Sequence, residues 1–352
     1  MRRRDFLNAV GGIAALGIFP VKSALAEPQS AVPTNGIMTV RGWIDAATLG
    51  TTLMHEHALA NFQGYESWSR APIPYDLDTV TGVVLPRMRR LADQGVRTFV
   101  DATATYLGRD PVLLRHLSEK SGLNILTVTG NYAAFDNRFL PPWVHDLTPV
   151  ELAGRWIDEW QNGIGGTEVR PGFIKLGFNE GKLSAVEQKL IRAAAMAHRQ
   201  TGLTIGAHTG PAVSAFEQLA ILEQEGVDPS AWIWIHAQNE KDRARHVEAA
   251  RRGAWVEFDG IDRDSLPLHV ELVGAMKQAG LLDNVLISQD AGWYDVAKPD
   301  GGTPRSYEVL IADFVPALKA TGFTAADIHL LLVTNPAAAL TVRPRLSGAA
   351  KA

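Results

Sequence analysis

Short apolar runs rich in valine and isoleucine alternate along most of the chain with longer segments whose apolar residues recur at helical spacing. The runs are TTLMHEH (51–57), RTFVDA (97–102), NILTVTG (124–130), GFIKLG (172–177), LTIGAHTG (203–210), WIWIHA (232–237), WVEFDG (255–260) and VLISQD (285–290). They read as eight strands. Between them, SAVEQKLIRAAAMAHRQTG (184–202) opens on Ser184 with Glu187 three residues later and closes on Gly202, the pattern of a capped helix. PVLLRHLSEKSG (111–122) and EKDRARHVEAARRG (240–253) likewise end on glycine. Ahead of the first strand, IMTVRGWIDAATLG (37–50) predicts a small hairpin turning near Arg41-Gly42. Eight strands alternating with helices predict an α/β fold, a (β/α)8 TIM barrel over 37–345 behind an N-terminal β-hairpin. A doubly wound sheet is the competing architecture. Its glycine-rich phosphate loop is missing after the first strand, which ends instead in HEH.

The first 26 residues stand outside this pattern. Arg2, Arg3 and Arg4 precede a short apolar stretch, and Ala24-Leu25-Ala26 supplies an A-x-A cleavage site. The pair Arg3-Arg4 followed by Asp5-Phe6-Leu7 resembles a twin-arginine signal, which implies the twin-arginine export machinery as a partner and a periplasmic or secreted product. The apolar stretch is too short for stable membrane insertion. A mobile leader (27–36) and a disordered tail (346–352) are expected to flank the barrel.

The chain has 352 residues, 46% hydrophobic and 20% charged, enough for one large core. Removing the leader's four basic residues and one acid from a net charge of −4 leaves −7, so nothing basic invites nucleic acid. The absence of cysteine excludes disulfides, thiolate metal sites and thiol nucleophiles. Any metal would be held by His, Asp, Glu or a modified side chain.

Polar residues interrupt the apolar strands where a barrel places its chemistry, at the carboxyl ends. His55 and His57 end the first strand and share one side of it, while Glu56 points away. Lys175 lies in the fourth strand, His208 ends the fifth, His236 the sixth and Asp290 the eighth. Four imidazoles and a carboxylate exceed the ligand set of one catalytic zinc and imply two divalent ions. Such a pair needs a bridging anion. A buried Lys175 loses proton affinity, and its neutral amine can take up carbon dioxide as a carbamate, a bidentate anion. A Schiff-base lysine and a lysine snorkelling from a packed stem are the alternatives. His116, His145, His198, His246, His269 and His329 fall in helices or loops and are assigned only solvated or capping roles.

With these residues in view, the sequence resembles the phosphotriesterase family of the amidohydrolase superfamily from about Ile37 to Val342. The motifs are TVRGWIDAATLGTTLMHEH, GVRTFVDATATYLGRDPVLLRHLSEKSGLNILTVTGNY and LVTNPAAAL, in order. The resemblance implies a binuclear metal-dependent hydrolase, with zinc the expected metal and manganese, cobalt or iron tolerable. His55, His57 and Asp290 match the ligands of the buried ion, His208 and His236 those of the exposed ion, and Lys175 the carbamate bridge. A hydroxide between the ions would attack phosphorus or a carbonyl, with Asp290 taking its proton. Two positions depart from the family pattern: Gly260 stands where relatives carry His or Arg, and Asn239 where they carry Asp. This favours lactones or carboxylic esters over phosphotriesters, with organophosphate triesters a side activity. A primary phosphotriesterase, amide or phosphodiester hydrolysis on the same metal centre, and a non-catalytic exported binding protein are the remaining alternatives. The expected substrate wall comprises Tyr132, Trp293, Tyr294 and Trp68, with Phe62, Tyr65 and Phe135 nearby. The loop GWYDVAKPDGGTPRSYE (292–308) is expected as a lid, and a homodimer as the assembly.

Overall fold

The computed structural model describes residues 32–70 and 75–348, without side-chain detail for 68–70. The signal at 1–26, most of the leader, the end of the tail and the Trp68 side chain therefore lie outside the described residues. The architecture is that of the compact unit beginning at Pro33.

Strands β1 (Gly36–Thr39) and β2 (Gly42–Asp45) pair antiparallel. Gly42, at φ 105°, supplies the left-handed residue of their turn, and Thr39 Oγ1 donates to its carbonyl at 2.8 Å. The barrel strands follow: β3 (Thr51–Ala60), β4 (Val96–Asp101), β5 (Asn124–Leu126), β6 (Val128–Thr129), β7 (Phe173–Gly177), β8 (Ile205–His208), β9 (Trp232–Ile235), β10 (Trp255–Phe258), β11 (Val285–Ile287) and β12 (Ala291–Asp295). All are parallel, in the orders β12-β3-β4-β5 and β6-β7-β8-β9-β10-β11. Each of the eight predicted runs contains a strand. The third is interrupted at Thr127, giving β5 and β6, and the eighth at Ser288 to Asp290, giving β11 and β12. Those two broken strands join the sheets, and the whole is a TIM barrel.

The helix Ala185–Thr201 carries the expected Ser184–Glu187 capping box and ends on left-handed Gly202, and Pro111–Ser121 ends on left-handed Gly122. The third predicted helix is shorter than its pattern. It spans Arg243–Arg251, because Asp242 caps Ala244 N and Arg252, not Gly253, is the residue at its C-terminal end.

Packing divides into two shells. Outward strand residues meet the helices in one continuous core that includes Leu53, Phe99, Ile174, Leu190 and Trp234. Inward residues Val100, Leu126, Phe173, Ile233, Trp255 and Leu286 fill the barrel and are plugged by Ile37, Leu49 and Leu340. Since alternate residues share a face, the side that starts with Phe173 continues with Lys175, and the side that starts with Trp255 continues with Glu257 and Asp259. The interior thus grades from apolar at the hairpin end to charged at the carboxyl end.

Three assignments change. Gly36 opens β1 rather than ending the leader, and Leu346 and Ser347, expected in the tail, pair with Val227 and Gly226. His198, His246 and His269 are buried rather than solvated, because they sit on the packed faces of their helices and bond carbonyls of Leu203, Ala237 and Asp259. The 292–308 loop is not a free lid. Its first residues form β12, Arg305 N donates to Gly292 O at 2.8 Å, and Tyr307 Oη donates to His57 O at 2.8 Å.

Candidate metal centre

A cavity of about 160 Å³ opens at the carboxyl ends of the strands and is lined by His55, His57, Lys175, His208, His236 and Asp290 together with Phe62, Leu107, Tyr132, Phe135 and Trp293. All six residues expected to bind metal meet there. The rings of His55 and His57 lie 5.1 Å apart, His55 and His236 5.2 Å, and His208 and His236 4.3 Å. Lys175 Nζ is 3.2 Å from His55 Nε2.

The outer nitrogens are held from behind. His55 Nδ1 lies 3.1 Å from Glu257 Oε1 and 3.4 Å from Asp259 Oδ2, His57 Nδ1 2.8 Å from Thr103 Oγ1, and His236 Nδ1 2.5 Å from Asp259 Oδ1. Such partners fix each ring and leave Nε2 for the cavity. His57 Nε2 and Asp290 Oδ1 are 2.9 Å apart without hydrogen-bond geometry, and neither has a hydrogen-bond partner among the described residues. Buried polar atoms left unpaired are costly, so two that converge on one point fit a shared cation. The His55, His57 and Asp290 ligand atoms all lie within 4.8 Å of one another. His55, His236 and Asp259 also cluster, but there Asp259 faces the Nδ1 atoms, which makes it a support behind the site.

Burial holds His55, His57 and His208 in their neutral, ligating form. It lowers His55 to about 3, with Lys175 adding to the effect, and puts His57 and His208 well below their usual value for the same two kinds of cause, His208 also facing His236. Lys175, 2% exposed, is lowered to about 8 by burial. Burial also raises Asp290, Glu257 and Glu56, the last to about 8, and Asp101 to about 6. For Asp259 burial acts the same way, but His236 and His55 beside it win and keep it well below the usual carboxylate range.

Two of the ligands leave their strands in the left-handed region, His236 at φ 63° and Asp290 at φ 49°. Asp259 answers the first: it accepts from His236 N at 3.0 Å as well as facing the ring. Gln238 in turn donates to Asp259 Oδ1 at 2.8 Å and accepts from Asp259 N at 3.2 Å. A Cβ on Gly260 would lie 3.3 Å from Gln238 Nε2, so that amide occupies the edge where a larger residue 260 would begin.

The wall residues divide. Tyr132 is buried beside His208, ring centroids 5.2 Å apart, and packs onto Gly177, where any Cβ would strike its ring at 2.5 Å. Trp293 stacks on His57 at 3.4 Å. Tyr294 does not line the cavity, because alternation along β12 turns it the other way, against Gly301. Tyr65 is likewise absent from the wall and packs on Tyr106. Phe62 and Phe135 are exposed at the mouth. Glu257, Asp259, Thr103 and Gln238 were not singled out by the sequence. Glu257 and Asp259, two apart in an apolar strand, carried the same signal as His55 and His57.

A family model described as the phosphotriesterase family matches residues 35–340. The phosphotriesterase homology protein of Escherichia coli K12 is 32% identical over 82% of this chain and 96% of its own length. An aryldialkylphosphatase of Saccharolobus solfataricus is 29% identical, covering 83% of this chain and 95% of that protein. The crystal structure of a lactonase from Listeria monocytogenes superposes with a TM-score of 0.76 at 25% identity, over 88% of this chain and 99% of the other.

Proposed function

The chain belongs to the phosphotriesterase family and is a hydrolase, and from that premise we propose that it cleaves lactones or other uncharged carboxylic esters with two divalent ions, zinc the best fit, held by His55, His57, Lys175, His208, His236 and Asp290. The observation that carries this reading is the cavity's division into a ligand floor and an apolar wall of Phe62, Leu107, Tyr132, Phe135 and Trp293. Beyond the six ligands the described lining residues are uncharged, so the wall offers no cation to an anionic substituent of the substrate.

Bound ions of this kind supply Lewis-acid charge and bring the pKa of water near neutrality. Lys175, desolvated and largely able to shed its proton near pH 8, adds carbon dioxide: the amine nitrogen forms the new C–N bond, a proton leaves, and a carbamate with two ligating oxygens results. Asp290 would hold an ion through the oxygen facing His57 and accept the proton of the attacking water. Trp293 and Tyr132 exclude solvent and orient the acyl portion, while Phe62 and Phe135 receive the apolar remainder at the mouth. The arginine pair of the signal segment supports export of the folded enzyme. An Arg3→Lys, Arg4→Lys variant should then stay inside the cell.

Rates for acyl-homoserine lactones, sugar lactones, aryl esters and paraoxon on one metal-loaded preparation test the substrate class. Lactones or aryl esters should give the highest kcat/KM, and chelation should abolish it. A higher kcat/KM for paraoxon would favour a primary phosphotriesterase, the second reading, which the likeness to the aryldialkylphosphatase supports. No turnover of any would refute both.

A further inference from the structure

The eighth strand breaks where it delivers Asp290, and at the break and just after it two residues other than glycine are left-handed. Asp290 lies at φ 49° and Trp293 at φ 69°. Each conformation costs on the order of 1–2 kcal/mol in a residue with a Cβ, so it persists only where surrounding bonds determine it.

Those bonds come from β3. Glu56, wholly buried and outside the cavity, spans the break. Its Oε1 accepts from Ser288 Oγ at 2.9 Å and from Gln289 N and Nε2 at 3.3 Å, and its Oε2 accepts from Ala291 N at 2.9 Å. Ser288 Oγ accepts from His55 N at 2.8 Å, and Asp290 N donates to His55 O at 2.9 Å. The Asp290 carbonyl is taken by Trp293 Nε1 at 2.8 Å and Arg305 at 3.0 Å. Gln289 carries the network outward to Tyr307 O and Leu310 N. The N–H groups of Gln289, Asp290 and Ala291 are all held, and the acceptor on both sides of Asp290 is one carboxyl group.

We infer that Glu56 is a positioning residue, whose two oxygens gather Ser288, Gln289 and Ala291 and so aim Asp290 Oδ1 at His57 Nε2. This rests on the role given to Asp290 above. Two oxygens on one side chain serve all these donors. Glutamine of the same size would turn its NH2 group toward one of them and leave at least one buried N–H without an acceptor.

Glu56→Gln tests this in the metal-loaded enzyme. On the scale set by partners behind metal ligands, zinc affinity by chelator competition should weaken and kcat should fall, each by roughly 10–100-fold, with KM within about threefold. The acid limb of the kcat profile should also move, because Asp290 would accept its proton from a changed position. A purely structural role would lower Tm and leave zinc affinity, kcat and that limb in place, and such a result would overturn the inference. Should Glu56→Gln fail to fold, Ser288→Ala removes a single donor and should shift the same quantities in the same direction by less. Parental values for Ser288→Ala in that event would likewise overturn it. Asp290→Asn, run alongside, separates the two levels. If it keeps full activity, the role of Asp290 falls and Glu56 with it; if it is inactive while the Glu56 and Ser288 variants are parental, this inference alone falls.

Discussion

Lys175→Met should stabilise the metal-free protein and destabilise the metal-loaded one relative to the parent. The ammonium sits in a fully buried position where desolvation lowers its pKa from 10.5 to about 8, even with Glu257, Asp290, Asp259 and Asp101 pulling the other way. That drop is a net figure, worth about 3 kcal/mol at 1.36 kcal/mol per pKa unit. Between pH 8 and 10.5 the unfolded chain binds a proton that the folded chain has released, so stability rises with pH across this window. Below pH 8 the full penalty is present. Methionine keeps the packed stem and removes the charge. Urea unfolding of metal-free samples at about pH 7 should therefore show Lys175→Met more stable by up to about 3 kcal/mol, with the gap closing near pH 10.

Zinc should reverse the order. Ligand binding stabilises the native state by RT ln(1 + [L]/Kd), about 4 kcal/mol at a thousandfold excess over Kd, and the variant lacks the group that bridges the ions. Short carboxylates such as acetate or propionate should partly restore metal and activity to Lys175→Ala, where the stem is gone and an anion has room. The reasoning fails if metal-free Lys175→Met is no more stable than the parent near neutral pH, or if the gap ignores pH. Two retained ions and full activity in Lys175→Ala would refute the bridge itself.

Asp259→Asn, which replaces an acceptor shared by His236 N, His236 Nδ1 and Gln238, should weaken zinc binding by roughly 10–100-fold in a chelator competition. Phe135→Ala should raise KM for long-chain esters several-fold with little change for the shortest, because the ring is exposed at the mouth and its centroid lies 5.7 Å from that of His208. Arg345→Ala should lower stability by about 3 kcal/mol in urea unfolding, since the buried guanidinium donates to Thr204 Oγ1 and to the carbonyls of Ala338, Ala339 and Thr341 at the end of the helix Asn335–Leu340.

The eight strands and all six proposed ligands could be named in advance for one reason: a polar side chain inside an apolar run has no cheap explanation in a core. Lys175 between Ile174 and Leu176 is the clearest case. Glu257 and Asp259 were equally visible, two residues apart in an apolar run. Buried His198, His246 and His269 were less visible, because a histidine on an amphipathic helix can face either side. Tyr294 was placed by its adjacency to Trp293, whereas neighbours on β12 face opposite ways. The left-handed backbone at His236 and Asp290 had only a weak local sign, the modest preference of His and Asp for that region. Neither position is Gly or Asn, and the bonds that impose the conformation come from other strands.

That last point joins two sites that the sequence treats separately. A ligand at the end of a barrel strand must leave the sheet abruptly to turn its side chain over the barrel mouth, and doing so exposes peptide N–H groups that the ladder no longer pairs. At His236 the acceptor is Asp259, just beyond β10, and at the break around Asp290 it is Glu56 on β3, in each case a carboxylate from the neighbouring strand. An acid can accept several N–H bonds at once, which a carbonyl in a regular ladder cannot, so each strand that carries a kinked ligand is matched by an acid on the strand beside it. The ligands define what the centre binds. The acids Asp259 and Glu56 define where its atoms point, and for that reason their loss should show in metal affinity and pH dependence before it shows in the fold.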